Sequence, residues 1–122
     1  MKYMLLCYDD DQAWERAGRD ALHAAMREAV GLTHELHAKG QYVMASPLEP
    51  VSTATSVRVR DGKRLTTDGP FAETREVLGG FYIIDVDTPG EAVEIAARHP
   101  GARVGTVEVR PLLELPGLPT GQ

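Results

Sequence analysis

Two segments of the chain carry apolar side chains on both faces of a predicted β-strand. In "KYMLLCYDDD" the apolar residues are Tyr3, Leu5 and Cys7 on one face and Met4, Leu6 and Tyr8 on the other. "LGGFYIIDVD" repeats this pattern around residues 81–86. A strand that is apolar on both faces is buried on both, so each segment should be a central strand of a sheet.

Two amphipathic helices are predicted between the strands. The first covers about residues 20–39, and Gly40 is a natural C-terminal stop. Its apolar stripe, spaced by three and four residues, is Leu22, Met26, Ala29, Thr33 and Leu36. The second begins at the capping box of Thr88, Pro89 and Glu91 and ends with His99 before Pro100.

The remaining strands complete a recognisable order of elements. "QYVMASPLEP" and "RVGTVEVRPL" read as strands, and "SVRVRDGKRLTT" reads as a hairpin that turns at Asp61-Gly62. The order is therefore β-α-β, a hairpin insertion, then β-α-β, which predicts an α+β, ferredoxin-like split β-α-β fold. We assign residues 1–113 to this single domain and residues 114–122 to a C-terminal tail.

Such a fold would leave one apolar sheet face uncovered. Both helices of a split β-α-β domain pack on the same face, and a large exposed apolar face is a liability. A second copy packed sheet against sheet is the simplest cover, because small homo-oligomers are usually two-fold symmetric. We therefore expect a homodimer or higher oligomer with a cavity for a small molecule between the sheets.

Charge and composition restrict the partners. The chain has 122 residues and a formal net charge of -5, which opposes direct binding to nucleic acid or anionic membrane surfaces. No apolar run approaches the ~20 residues of a membrane helix. The single Cys7 has no internal disulfide partner and is expected to be a buried strand thiol in a cytoplasmic protein.

The stretch "TTDGPFAET" carries the strongest candidate residue, Asp68. In one interpretation its carboxylate accepts hydrogen bonds from amides of the turn made by Gly69 and Pro70. In the other, the turn holds Asp68 at the mouth of the cavity, where partial burial would raise its pKa toward that of a general base. Phe71 is expected to plug the core or an interface, or to contact a ligand.

Histidines and a basic cluster give the other candidate sites. His99 either caps the end of its helix or acts as an acid–base partner of Asp68. His23, His34 and His37 lie on one helical stripe without an obvious further ligand, so no metal site and no cofactor are expected. The cationic residues of the hairpin, which either solubilise it or bind an anionic ligand, are Arg58, Arg60, Lys63 and Arg64.

Several motifs resemble those of a known family. They are "DGPFAET" at residues 68–74, "LGGFY" at 78–82 and "GTVEVRP" at 105–111, with "MKYML" at 1–5 and "VRVRDGK" at 57–63. On these residues the chain resembles the DGPF-domain proteins of the wider YciI-like (YCII-related) group, from residue 1 to about 113. The resemblance implies a ferredoxin-like fold of the dimeric α+β barrel superfamily, and it implies no particular reaction.

The resemblance also bears on catalysis and regulation. The YciI group is noted for a helix histidine and a loop aspartate as a catalytic pair, but counting back from Ser46-Pro47 puts no histidine of this chain securely at that place. Some relatives occur beside alternative sigma factors in bacterial genomes, which suggests a regulatory association.

Two functions follow from these observations. The first is a cofactor-independent enzyme of the lyase or isomerase type that uses Asp68 as a base in the cavity, a reading based on fold analogy. The alternative is a non-catalytic ligand-sensing or regulatory protein linked to transcription control by alternative sigma factors.

Overall fold

The two doubly apolar segments form the central strands of a four-stranded antiparallel sheet. In the computed structural model, which describes residues 1–72 and 74–119, they are β1 (Lys2–Asp9) and β5 (Val77–Asp85). The edge strands are β2 (Tyr42–Pro47) and β6 (Thr106–Pro111), so that the order is β2-β5-β1-β6. The central position predicted for both segments is confirmed, and the α+β arrangement is consistent with a ferredoxin-like fold.

Four α-helices accompany these strands within the described residues. They are α1 (Asp11–Ala17), α2 (Arg19–Ala38), α3 (Pro89–Arg98) and α4 (Gly101–Val104). The predicted helices correspond to α2 and α3, and the Thr88 side chain caps α3 by accepting the Glu91 N–H at 3.2 Å. Neither α1 nor α4 is predicted from the sequence, because helices of seven and four residues are too short to show an amphipathic period.

The hydrophobic core lies between the sheet and the long helices. Tyr3, Leu5 and Ile84 point from the central strands toward the helices and are almost fully buried. Leu32 and Leu36 of α2 and the apolar face of α3 pack against them. Burying each large apolar side chain contributes roughly 1.5–3 kcal/mol, so this layer is the main source of stability. The helices therefore cover one face of the sheet.

Charged pairs join the helices at the surface. Arg103 of α4 bonds both carboxylate oxygens of Glu28 in α2, at 2.7 and 3.0 Å, and Arg98 of α3 pairs with Glu35. Each pairing lowers the pKa of the glutamate, with the arginine hydrogen bond as the largest cause. These side chains are exposed, so the pairs orient the helices and add little stability.

The insertion between β2 and β5 forms the predicted hairpin. Its strands are β3 (Thr55–Arg60) and β4 (Lys63–Asp68), which pair only with each other in a two-stranded sheet. Asp61 and Gly62 have φ angles of 52° and 73°, the left-handed conformation that a two-residue type I′ turn requires. The base is closed by the Gly69 N–H, which donates to the Ala54 carbonyl at 2.6 Å.

The chain leaves the sheet at an apolar tail. The Leu112 N–H donates to the Lys2 carbonyl at 2.9 Å, which extends the pairing of β6 with β1 by one bond. Beyond it, Leu113 is 85% exposed, and Leu115 and Leu118 are also exposed. Within the described part of the chain, no helix has the length and apolar character that a membrane span requires.

Candidate functional site

The sheet face opposite the helices is apolar at its centre. Strand register places Met4 beside Ile83 and Leu6 beside Phe81 on this face. Met44 of β2 lies beside Ile83 from the other side. The alternate residues of the same strands point into the helix-covered core. We call the surface formed by these five residues the open face.

The open face is not fully buried within the described chain. Its central side chains are only partly buried, and Met44 is exposed. Polar residues occupy one edge, where the open side of β6 carries Thr106, Glu108 and Arg110. An apolar centre with a polar edge is the composition of a protein interface or of the wall of a ligand cavity.

Asp68 is the last residue of β4 and is exposed. Its partner across the hairpin is Thr55. Within residues 1–72 and 74–119 its carboxylate accepts no hydrogen bond. The turn is held instead by the Ser56 hydroxyl, which donates to the Gly69 carbonyl at 2.8 Å, and by the Gly69–Ala54 backbone bond. No described amide of the turn donates a hydrogen bond to the Asp68 carboxylate, so the interpretation of Asp68 as a turn-stabilising acceptor is wrong.

The residues that follow Asp68 form an exposed apolar turn. Gly69 has a φ angle of 97°, a conformation that residues with a side chain rarely adopt. Pro70 and Phe71 come next, and the Phe71 side chain is 77% exposed. Phe71 thus does not plug the core of its own chain, so an interface or a ligand contact stays as the prediction. Glu73 of the same motif lies outside the described residues.

Arg58 and Arg60 lie on the hairpin face opposite Asp68. Arg58 pairs with Leu65, and strand alternation puts Arg60 on the same side, whereas Asp68 shares the other side with Thr55. Both arginines are exposed, and Arg60 donates to the carbonyl of Val59 at 3.0 Å. One ligand could not contact this arginine face and Asp68 of the same hairpin without wrapping around the strand.

His99 lies on the helix side of the sheet. Its ring meets that of the core residue Tyr82 edge to face, with the ring centroids 5.3 Å apart. Its Nδ1 accepts the Gly101 N–H at 2.9 Å, so the ring serves the turn that follows α3 rather than the carbonyls of α3. Burial is the main cause that lowers the pKa of His99. No hydrogen bond or ion pair joins it to Asp68 in the described part of the chain.

A polar cluster that the sequence did not predict lies at the end of β1. The Trp14 indole N–H donates to an Asp9 carboxylate oxygen at 2.8 Å. Asp10 caps α1 by accepting the Gln12 N–H at 2.9 Å and lies 3.6 Å from Arg75. The sequence signal for this cluster is Asp10, an aspartate positioned to cap a short helix that ends at Gly18. The Arg75 ion pair connects the segment after the "DGPF" turn to the N-terminus of α1, but Arg75 is exposed, so this pair adds little stability.

The three helix histidines are exposed on α2. They are His23, His34 and His37. His37 also meets the Tyr42 ring edge to face, with ring centroids 6.2 Å apart. No group of three or more potential metal ligands occurs among the residues that the structure describes.

A shallow concavity of about 370 Å³ lies between α1 and α2. The residues that line it are Trp14, Glu15, Gly18, Arg19, Leu22 and His23. None of the candidate catalytic or ligand-binding residues is among them. Asp68 and the open face therefore remain the features that carry a functional argument.

Comparison with known proteins identifies the family of the chain. The sequence profile of the YCII-related domain matches residues 1–116. The chain is also 34% identical over 114 residues to "Uncharacterized protein R00369" of Rhizobium meliloti (strain 1021), an alignment that covers 92% of each chain. The profile match extends over nearly the whole chain and includes the two central strands, the hairpin and the "DGPF" turn. The chain therefore belongs to the YCII-related domain family.

Proposed function

We propose that this protein is a small-molecule-binding homodimer in which the open faces of two copies enclose a shared cavity. The observation that carries this proposal is the open face itself. Met4, Leu6 and Ile83 lie on its central strands and are only partly buried among the described residues. Two such faces packed together remove apolar surface from water, at roughly 25 cal/mol for each Å² buried.

The shape of the domain favours a cavity over a fully dry interface. Twisted sheets that pack face to face touch along part of their surface and diverge elsewhere. Space left between them would have the apolar open face as its walls. Ligand sites are commonly of this kind, mostly apolar with a few polar groups that orient the ligand.

Within this site we assign Asp68 the role of the acid–base or anchoring group. Its carboxylate is not engaged by hydrogen bonds in the described residues, and the turn that follows it is fixed by Gly69 and Ser56. At the rim of the shared cavity, Asp68 would be the general base of the site or the anchor for a bound molecule. A lyase or isomerase reaction without a cofactor could then begin with proton abstraction by Asp68.

His99 has no part in this assignment. Its ring lies against Tyr82 on the helix side of the sheet, and Nδ1 is engaged by Gly101. The alternative function, a ligand sensor that acts in transcription control, requires the same cavity without turnover. The two functions differ in the fate of a bound molecule, so ligand identification separates them.

Native mass spectrometry of the gently purified full chain tests the proposal. We expect twice the chain mass together with a retained small molecule. Ile83→Asp places a carboxylate on the open face and should give a monomer without the retained mass. Val93→Asp is the matched control because Val93 is an exposed apolar residue of α3, and this variant should remain a ligand-bound dimer.

Each outcome has a defined meaning. A wild-type monomer, or an Ile83→Asp dimer that retains the ligand as wild type does, would reject the proposed site. Once the retained molecule is identified, incubating it with the protein distinguishes turnover from simple binding. An unchanged ligand would favour the sensing function over the enzyme.

A further inference from the structure

The hairpin of β3 and β4 stands apart from the body of its own chain. All residues of both strands are exposed except Ser56, which is partly buried. Val57 is 59% exposed and Leu65 is 50% exposed. An isolated two-stranded hairpin is at best marginally stable in water, and stability usually requires another surface against which it can pack.

One face of the hairpin combines its valines with Asp68. Val57 pairs with Thr66, and Thr55 pairs with Asp68. Since alternate residues share a face, Val57, Val59 and Asp68 lie on the same side. We call this side the valine face. The opposite side carries Arg58 and Leu65, which form a cross-strand pair.

The charge of the hairpin is opposite to that of the rest of the chain. Residues 55–68 contain four cationic and two anionic side chains, a net charge of +2. The whole chain has a net charge of -5, so the remaining residues together carry -7. This difference in charge attracts the hairpin to the acidic body of a second copy at long range. Three of the four cations, Arg58, Arg60 and Lys63, lie opposite the valine face. The valine face carries Arg64 and Asp68 and has no net charge, so no excess of positive charge is buried when it docks.

We propose that the valine face of the hairpin docks on the body of a second copy and brings Asp68 to the rim of the partner's open face. This inference rests on the homodimer proposed above and adds that each site is completed by a hairpin from the other protomer. Two-fold symmetry then supplies two equivalent hairpin contacts in each dimer. Asp68 would thus serve the partner's half of the cavity.

A matched pair of variants in the full chain tests this inference. Val57→Glu puts a carboxylate on the valine face, and Leu65→Glu puts one on the opposite face of the same hairpin. Burial of an unpaired carboxylate is costly, and the dimer would contain two. We expect Val57→Glu to raise the dimer dissociation constant at least about tenfold. Leu65→Glu should leave it close to the wild-type value in analytical ultracentrifugation.

Hydrogen exchange of the wild-type chain gives a second measurement that needs no variant. Amides of residues 55–68 should exchange more slowly as protein concentration rises through the dimer dissociation constant. Docking on the hairpin's own chain, or on a different protein, would leave this exchange independent of concentration. Either of those results would overturn the inference.

The outcomes separate this inference from the function on which it rests. A stable dimer in which the two hairpin variants have equal dissociation constants would overturn hairpin docking and leave the open-face dimer intact. A wild-type chain that stays monomeric at every concentration would overturn both. Selective weakening by Val57→Glu, together with concentration-dependent protection, would support the exchanged hairpin.

Discussion

The Nδ1 atom of His99 accepts a hydrogen bond from the Gly101 N–H at 2.9 Å, and it can do so only while that nitrogen carries no proton. The hydrogen bond orders the turn between α3 and α4 against Tyr82. Protonation at Nδ1 would replace an acceptor with a donor that faces another donor. The neutral ring is thus part of the folded structure.

This relationship predicts that the chain loses stability as the pH falls. Burial lowers the pKa of His99 below 6.5; the Glu28 carboxylate opposes this shift and Arg103 adds to it. The unfolded chain therefore binds a proton before the folded chain does, and the free energy of unfolding decreases as the pH falls below about 6.5. The decrease should level off once the pH is below the folded pKa.

His99→Asn isolates this contribution because an amide oxygen can still accept the Gly101 N–H. Denaturant unfolding followed by circular dichroism should show a shallower dependence on pH between about 7 and 5 for this variant. His34→Asn is the control because His34 is exposed on α2. If His99→Asn retained the full wild-type slope, His99 would not be the titrating group.

Gly105→Ala should be strongly destabilising. A Cβ atom at this position would lie 2.1 Å from the Tyr8 carbonyl oxygen and 3.0 Å from the Asp9 Cα, and these backbone atoms cannot rotate away as a side chain could. We expect a loss of about 3 kcal/mol, the upper part of the range for overpacked sites. Gly31→Ala is the matched control, since a Cβ there meets no atom within 4 Å in the middle of α2. Thermal unfolding should show the control to be equal to wild type or more stable.

The Cys7 thiol should be nearly inert in the folded protein. Burial, with a smaller effect of the Asp9 carboxylate, raises its pKa to about 11. Since the thiolate is the reactive form, a disulfide reagent at pH 8 should modify the folded chain far more slowly than the denatured chain. Cys7 is the single cysteine of the sequence, so the absorbance change reports this site alone. Comparable rates in the two states would contradict its buried position.

Asp68→Asn should preserve the fold and abolish ligand retention. Because the Asp68 carboxylate is exposed and accepts no hydrogen bond within the described residues, its neutralisation should change stability by less than about 0.5 kcal/mol. The paired measurement is the melting temperature and the mass retained in native mass spectrometry. Asp61→Asn, which removes a carboxylate from the same hairpin, should retain the ligand. A destabilised Asp68→Asn variant that binds as wild type does would show a purely structural role.

Local patterns were sufficient to predict most of the secondary structure. Apolar residues on both strand faces around Leu5 and Ile83 identified the central strands, Thr88 marked the start of α3, and Asp61-Gly62 marked the hairpin turn. These signals are local, because backbone preference and side-chain periodicity depend only on residues that are close together in the sequence. The uncovered sheet face also followed, because both helices of this order of elements pack on one side.

The relative placement of the candidate site residues was decided by the tertiary structure. The sequence left Asp68 and His99 as possible acid–base partners. In the structure, His99 follows α3 on the helix side of the sheet, whereas Asp68 is the last residue of a separate exposed hairpin. The ion pair between Glu28 and Arg103, which are 75 residues apart, likewise depends on how α2 and α4 are placed. Such contacts join side chains through space, and the packing of whole elements sets their distances. The sequence by itself therefore determined the strands, the long helices and the turns, and only their packing determined which side chains can act together.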